Sequence, residues 1–104
     1  MTALAGKVGI ITGGGSGMGQ AAALLMAERG ARIVVADVSA ENAEAAAQMI
    51  RSRGGEAIGC QGDIASEADW RTVIAATLDA YDRIDILYNN AADLRPEIYG
   101  RDAT

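Results

Sequence analysis

The chain is predicted to fold as an α/β domain with a doubly wound parallel sheet, and three observations predict it. Apolar, β-branched runs alternate with helix-period segments in the order βαβαβαβ. A glycine-rich stretch at residues 12–19, Thr-Gly-Gly-Gly-Ser-Gly-Met-Gly, joins the first such run to the first helical one. The later runs each lead into polar residues: Asp37, Asp63 and Asn89-Asn90. Strands that alternate with helices imply right-handed crossovers and helices on both faces of the sheet. In such sheets ligands sit beyond the carboxyl ends of the strands. Glycine or polar residues after four strands therefore mark one rim as a binding edge.

Residues 7–11 read as a short, nearly continuous apolar strand, the pattern of a strand covered on both faces. Residues 17–29 read as a helix with Met18, Ala21, Ala22 and Leu25 on one face, and Gly30 placed to stop it. Residues 32–36 form a second strand that ends in Asp37. Ser39 can cap the next helix, whose buried stripe is Ala43, Ala46, Ala47 and Ile50, and Gly54-Gly55 ends it. Residues 56–61 are a weaker third strand. Ser66 with Asp69 three residues on resembles a capping box. The helix behind it carries Trp70, Val73, Ile74, Thr77, Leu78 and Tyr81 at helical spacing. Asp82-Arg83 turns the chain into a fourth strand at residues 84–88. Residues 93–104 show no period, hold the lone proline, Pro96, and read as loop.

A chain of 104 residues is one domain or a piece of one. The net charge of −5 argues against a nucleic-acid partner, which selects for Lys and Arg patches. No apolar run reaches the ~20 residues that span a bilayer, and residues 1–7 lack the regions of a signal peptide. A cytoplasmic protein is the expectation. One cysteine, Cys60, excludes an internal disulfide, and the absence of histidine makes metal catalysis unexpected. Cys60 reads as a small buried hydrophobe. Trp70 and Tyr81 read as core or interface rather than a stacking platform, because they share a helical face with aliphatics. Asp79, Asp82 and Asp85 read as a solvated rim.

Glycine loses the most conformational freedom on folding, so five glycines between a strand and a helix must answer a sharp bend or a close approach. At a helix start that approach suits phosphate: the first amides are unpaired and the helix dipole favours an anion. The stretch does not contain G-x-G-x-x-G; it contains T-G-x-x-x-G-x-G, with Thr12, Gly13, Gly17 and Gly19. Asp37 follows Gly19 by eighteen residues, where a carboxylate can accept both ribose hydroxyls of an adenosine. The same charge opposes the 2′-phosphate of NADP, and no Arg or Lys follows closely to offset it, so NAD is the expected cofactor.

With Thr12 to Gly19, Asp37, Asp63-Ile64 and Asn89-Asn90-Ala91 in this order, residues 5–92 resemble the classical branch of the short-chain dehydrogenase/reductase family. The resemblance implies a Rossmann-type fold, here only its first βαβαβαβ portion, with residues 1–92 as the NAD-binding part. It implies cofactor contacts from Gly13, Ser16, Gly17, Met18, Gly19, Asp37, Asp63, Ile64, Asn90 and Ala91. Asp63 would accept the exocyclic amine of adenine and Ile64 would cover the ring. Thr12 would brace the glycine turn against Ala91. Ala92 stands where the family has glycine, which puts a left-handed backbone angle there in doubt.

The family's proton transfer uses a Tyr-x-x-x-Lys pair with a Ser and an Asn. The single lysine here is Lys7, and Asp85, Ala92 and Ala103 stand four residues after the three tyrosines. No catalytic residue is therefore expected in this chain. The reading is the cofactor-binding half of an NAD-dependent oxidoreductase acting on a small alcohol or ketone, with residues 93–104 leading toward a missing catalytic half. The full-length parent is expected to be a homo-oligomer. The alternative is a non-catalytic NAD-binding or interaction module.

Overall fold

Four strands and three helices follow one another in the computed structural model, which describes residues 3–15, 17–63 and 65–90. They are β1 (Val8–Thr12), α1 (Gly17–Glu28), β2 (Arg32–Asp37), α2 (Ala40–Ser52), β3 (Glu56–Gln61), α3 (Glu67–Tyr81) and β4 (Ile86–Asn89). The expected contacts Ser16, Ile64 and Ala91, together with Ala92 and the expected loop 93–104, lie outside the described residues. The sheet is parallel, in the order β3-β2-β1-β4. All of β1 and nearly all of β2 are buried, as their unbroken apolar sequences require of strands covered on both faces.

Side chains alternate across the sheet with period two. Ile11, Ile33, Val35 and Ala57 pack against Ala23 of α1 and Ala43, Ala46, Ala47 and Ile50 of α2. Ile10, Val34 and Ala36 face the other way, toward Val73, with Ile58, Cys60 and Tyr81 around them. The α2 stripe is the one its spacing predicts. Ser39 caps that helix, its Oγ accepting the Asn42 amide at 3.1 Å.

The buried face of α1 differs from the expected one. Met18 is 74% and Leu25 47% exposed, while Gly19 and Ala23 are buried and Met26 and Ala27 are half-buried. Residues 21–27 are all apolar, so two neighbouring stripes satisfy the helical period equally well. Packing selects the stripe in which Gly19 and Ala23 let the helix approach and Met26 lies over Gly9 of β1, where a Cβ would stand 3.8 Å from its Sδ.

The α3 face is only half covered. Val73 and Thr77 are buried, but Ile74 and Leu78 are exposed, as is Leu87 of β4 on the same side of the sheet. Among the described residues the helix lies over β2 and β3 rather than over β4. Tyr81 packs under Arg32, 5.9 Å from ring centroid to guanidinium, and burial followed by the Glu56 charge pushes its phenol above the usual range.

The fourth strand starts two residues later than expected because Asp85 replaces its first rung. The Asp85 amide donates to the Val8 carbonyl at 2.8 Å, and its Oδ2 accepts the Val8 amide at 2.9 Å. Arg83 grips both carboxylate oxygens at 2.8 Å. Asp85 is exposed, as a rim residue should be, and in addition clamps β4 to β1.

Candidate cofactor site

The first strand delivers Thr12 to the rim, and the glycine turn then folds back over the end of β2. The Gly14 amide donates to the Ala36 carbonyl at 3.3 Å. Gly13 and Gly17 take φ of 63° and 59°, the left-handed region that disfavours a Cβ. A Cβ on Gly15 would stand 2.6 Å from Asn42 Cβ and 2.7 Å from Asp37 Oδ2. A Cβ on Gly19 would overlap the Gly13 carbonyl oxygen and come within 2.8 Å of Asn90 Nδ2. Gly15 and Gly19 are therefore required for the turn to pack against Asp37, Asn42 and its own Gly13 carbonyl. The first turn of α1 carries no acidic residue, so nothing in the helix itself occupies its anion-favouring end. Met18, on that first turn, points largely to solvent.

Asp37 is only 9% exposed. A buried carboxylate must be hydrogen-bonded, and this one is: Oδ2 accepts the Gly15 amide at 3.0 Å and Oδ1 the Ser39 amide at 2.9 Å. An ionised carboxylate has about four acceptor sites, so two bonds leave capacity for a diol. The residue thus fixes the glycine turn at the rim.

The opposite side of the turn is held by β4. Register places Thr12 beside Asn89. Thr12 Oγ1 donates to Asn89 Oδ1 at 2.8 Å and accepts the Asn90 amide at 3.1 Å, and Asn90 Nδ2 donates to the Gly13 carbonyl at 3.4 Å. The Thr12 brace thus runs to Asn89 and Asn90, and Asn90 meets the turn.

A cleft opens between these strand ends, lined by Thr12, Gly13, Asp37, Val38, Gly62, Asp63, Asp69, Trp70 and Val73, with Ala36 at its floor. Its far wall was not legible as such in the sequence. Trp70 is half-buried against the cleft as well as in the helix face, and Asp69 does not close a capping box. Ser66 Oγ accepts the Asp69 amide at 3.2 Å, but the Asp69 carboxylate turns to the Asp63 amide at 2.8 Å. Both residues sit on the first turn of α3, directly behind the third strand end, and that position is the signal that points to them. Cys60 is half-buried on the α3 side; burial, then the Asp69 charge, pushes its thiol up.

The parallel sheet, the glycine turn packed against Asp37 at the end of the second strand and the apolar cleft beyond it make this a Rossmann-like α/β protein. The chain belongs to the short chain dehydrogenase family, whose model matches residues 7–99. It is 41% identical over 93 residues to the 2,5-dichloro-2,5-cyclohexadiene-1,4-diol dehydrogenase LinX of Sphingobium indicum, covering 89% of this chain and 37% of that one. It is 38% identical over 90 residues to the short-chain dehydrogenase/reductase homolog YusS of Bacillus subtilis, covering 86% of this chain and 83% of that one. The crystal structure of a hydroxysteroid dehydrogenase from Escherichia coli superimposes with a TM-score of 0.86 at 35% identity, over 96% of this chain and 45% of that one. The chain spans about a third of the length of the full-size dehydrogenases it matches. Family members bind a nicotinamide cofactor, NAD or NADP. Among the described residues no helix is long and apolar enough to cross a membrane.

Proposed function

We propose that the chain is the NAD-binding part of an oxidoreductase that moves a hydride between NAD(H) and a secondary alcohol or ketone. The observation that carries the choice of NAD is Asp37: a nearly buried carboxylate at the second strand end, with acceptor capacity left and no cation within its hydrogen-bond set. The nicotinamide, when bound, supplies hydride chemistry; everything this chain does is binding and orientation. Gly13, Gly17 and Gly19 let the backbone approach the pyrophosphate, with Ser16 and Met18 beside them. Asp37 takes the adenosine ribose. Asp63 and Ile64 take the adenine. Asn90 and Ala91 hold the glycine turn toward the nicotinamide half.

The chain contains no Tyr-x-x-x-Lys pair, and its one lysine lies in the segment entering β1. The proposal is therefore that the 104 residues bind cofactor and do not turn it over. Titration with NAD and NADP, read through Trp70, the single tryptophan, tests the binding part. The expected result is NAD preferred by roughly 30-fold or more, about 2 kcal/mol; equal affinities would remove Asp37 from the ribose role. Turnover of any secondary alcohol by this chain would overturn the binding-only account.

A second reading, a non-catalytic NAD-binding module, is favoured by the match over 83% of the short Bacillus subtilis homolog. A stable, monodisperse 104-residue product that binds NAD and has no activity with a supplied catalytic half would support it over the first.

A further inference from the structure

We propose that Asp69 is a positioning residue for base recognition: it holds the Asp63 amide, and so sets the Asp63 carboxylate at the edge of the cleft that Trp70 also lines. This rests on the reading of the cleft as the adenosine end of a cofactor site.

Asp69 occupies the third position of α3 after its cap Ser66. In a capping box that side chain would reach back to the cap's own amide. Here the Ser66 amide is already taken, donating to the Asp63 carbonyl at 2.9 Å. The Asp69 carboxylate is released to the next donor along the loop, and Oδ2 accepts the Asp63 amide at 2.8 Å. Asp63 is thus held on both sides of its own backbone. Its Oδ1 accepts the Ala65 amide at 2.9 Å, which fixes the side-chain torsion. Oδ2 of Asp63 takes no hydrogen bond among the described residues, and Asp63 is exposed where Asp69 is half-buried.

The spacing between strand end and helix is also fixed. A Cβ on Gly62 would lie 3.0 Å from Val73 Cγ2 and 3.8 Å from Asp69 Cβ, so the chain between β3 and α3 rests directly on the first turns of the helix. What the pairing supplies is an acceptor held at a defined place beside an apolar wall. That suits a base with a donor amine on its edge and discriminates against one with an oxygen there, because a carboxylate facing an oxygen is left unpaired.

The test compares NAD with nicotinamide hypoxanthine dinucleotide, which has an oxo group in place of the adenine amine, on the full 104-residue chain by Trp70 fluorescence and calorimetry. Wild type is expected to prefer NAD by about tenfold, the scale of one lost hydrogen bond to a charged group. Asp69→Ala should cut that preference to under about threefold while leaving the NAD over NADP preference, which Asp37 sets, unchanged. Asp69→Asn retains an acceptor for the Asp63 amide and should restore the base preference. Ser66→Ala removes the cap hydroxyl and should lower stability without moving the preference. If Asp69→Ala does not fold, Asp69→Glu, one methylene longer, should displace Asp63 and lose the preference in the same way. Base preference retained in the Ala or Glu variant overturns the positioning role alone. Wild-type binding of NAD with no base preference does the same. Absence of NAD binding by the wild type overturns the cofactor reading, and this proposal with it.

Discussion

Asp37 Oδ2 accepts the Gly15 amide at 3.0 Å, so the end of β2 and the glycine turn after β1 form one bonded unit. The residue proposed to select the cofactor also shapes the glycine turn. Asp37→Ala should therefore lose both: NAD affinity falls by at least about tenfold, and the bias against NADP relaxes. Asp37→Asn keeps oxygen acceptance for Gly15 and drops the charge. It should retain more NAD affinity than the Ala variant while losing the same NADP bias, measured by paired titration.

Gly19 is where the helix comes closest to the turn. A side chain there meets the Gly13 carbonyl and Asn90 Nδ2, both fixed by other bonds. Gly19→Val should abolish NAD binding, and even Gly19→Ala should weaken it at least tenfold. Retained affinity in the Val variant would mean that the turn does not hold pyrophosphate.

Thr12 is buried and its hydroxyl serves Asn89 and Asn90 together. Thr12→Val is nearly isosteric but leaves an acceptor and a donor without that partner, at a cost of about 2 kcal/mol. Thermal unfolding should show a fall of roughly 10 °C for a domain this size. Thr12→Ser, which keeps the hydroxyl, should lose much less.

Asp85 gives the fold an acid-sensitive contact. The Arg83 fork and then the Val8 amide hold its carboxyl below the usual carboxylate range. A carboxyl lowered in the folded state stabilises the fold above its unfolded pKa, about 4, and that contribution is lost as pH falls through the folded value. Asp85→Asn should thus melt below wild type at pH 7, and the gap should close below about pH 4. A gap independent of pH would show that the clamp works through its amide alone.

Most of the fold was legible in the sequence because it rests on short-range patterns. The β-branched runs 32–36 and 56–61, the Ser39 cap and the alanine stripe of α2 each appear where their spacing puts them. The failures share a cause. The face of α1 was misjudged because nearly every residue from 18 to 27 is apolar, so only packing against Gly9 and the sheet selects among stripes. The start of β4 was misjudged because Asp85, polar and next to a turn, bonds to a residue 77 positions away.

The site divides in the same way. By itself the sequence determined that a glycine-rich strand-to-helix turn exists, that a carboxylate follows the second strand, and that the pair Asn89-Asn90 follows the fourth. These are properties of residue type and spacing along the chain. Only the tertiary structure decided that Asp37 grips Gly15, that Thr12 joins Asn89 to Asn90, and that Asp69 leaves its cap to hold Asp63 in the cleft that Trp70 also lines. Those bonds depend on which strands lie side by side and how closely the helices pack on them. A carboxylate has several amides within reach, and the one it takes is decided by which of them the folded chain leaves without a partner.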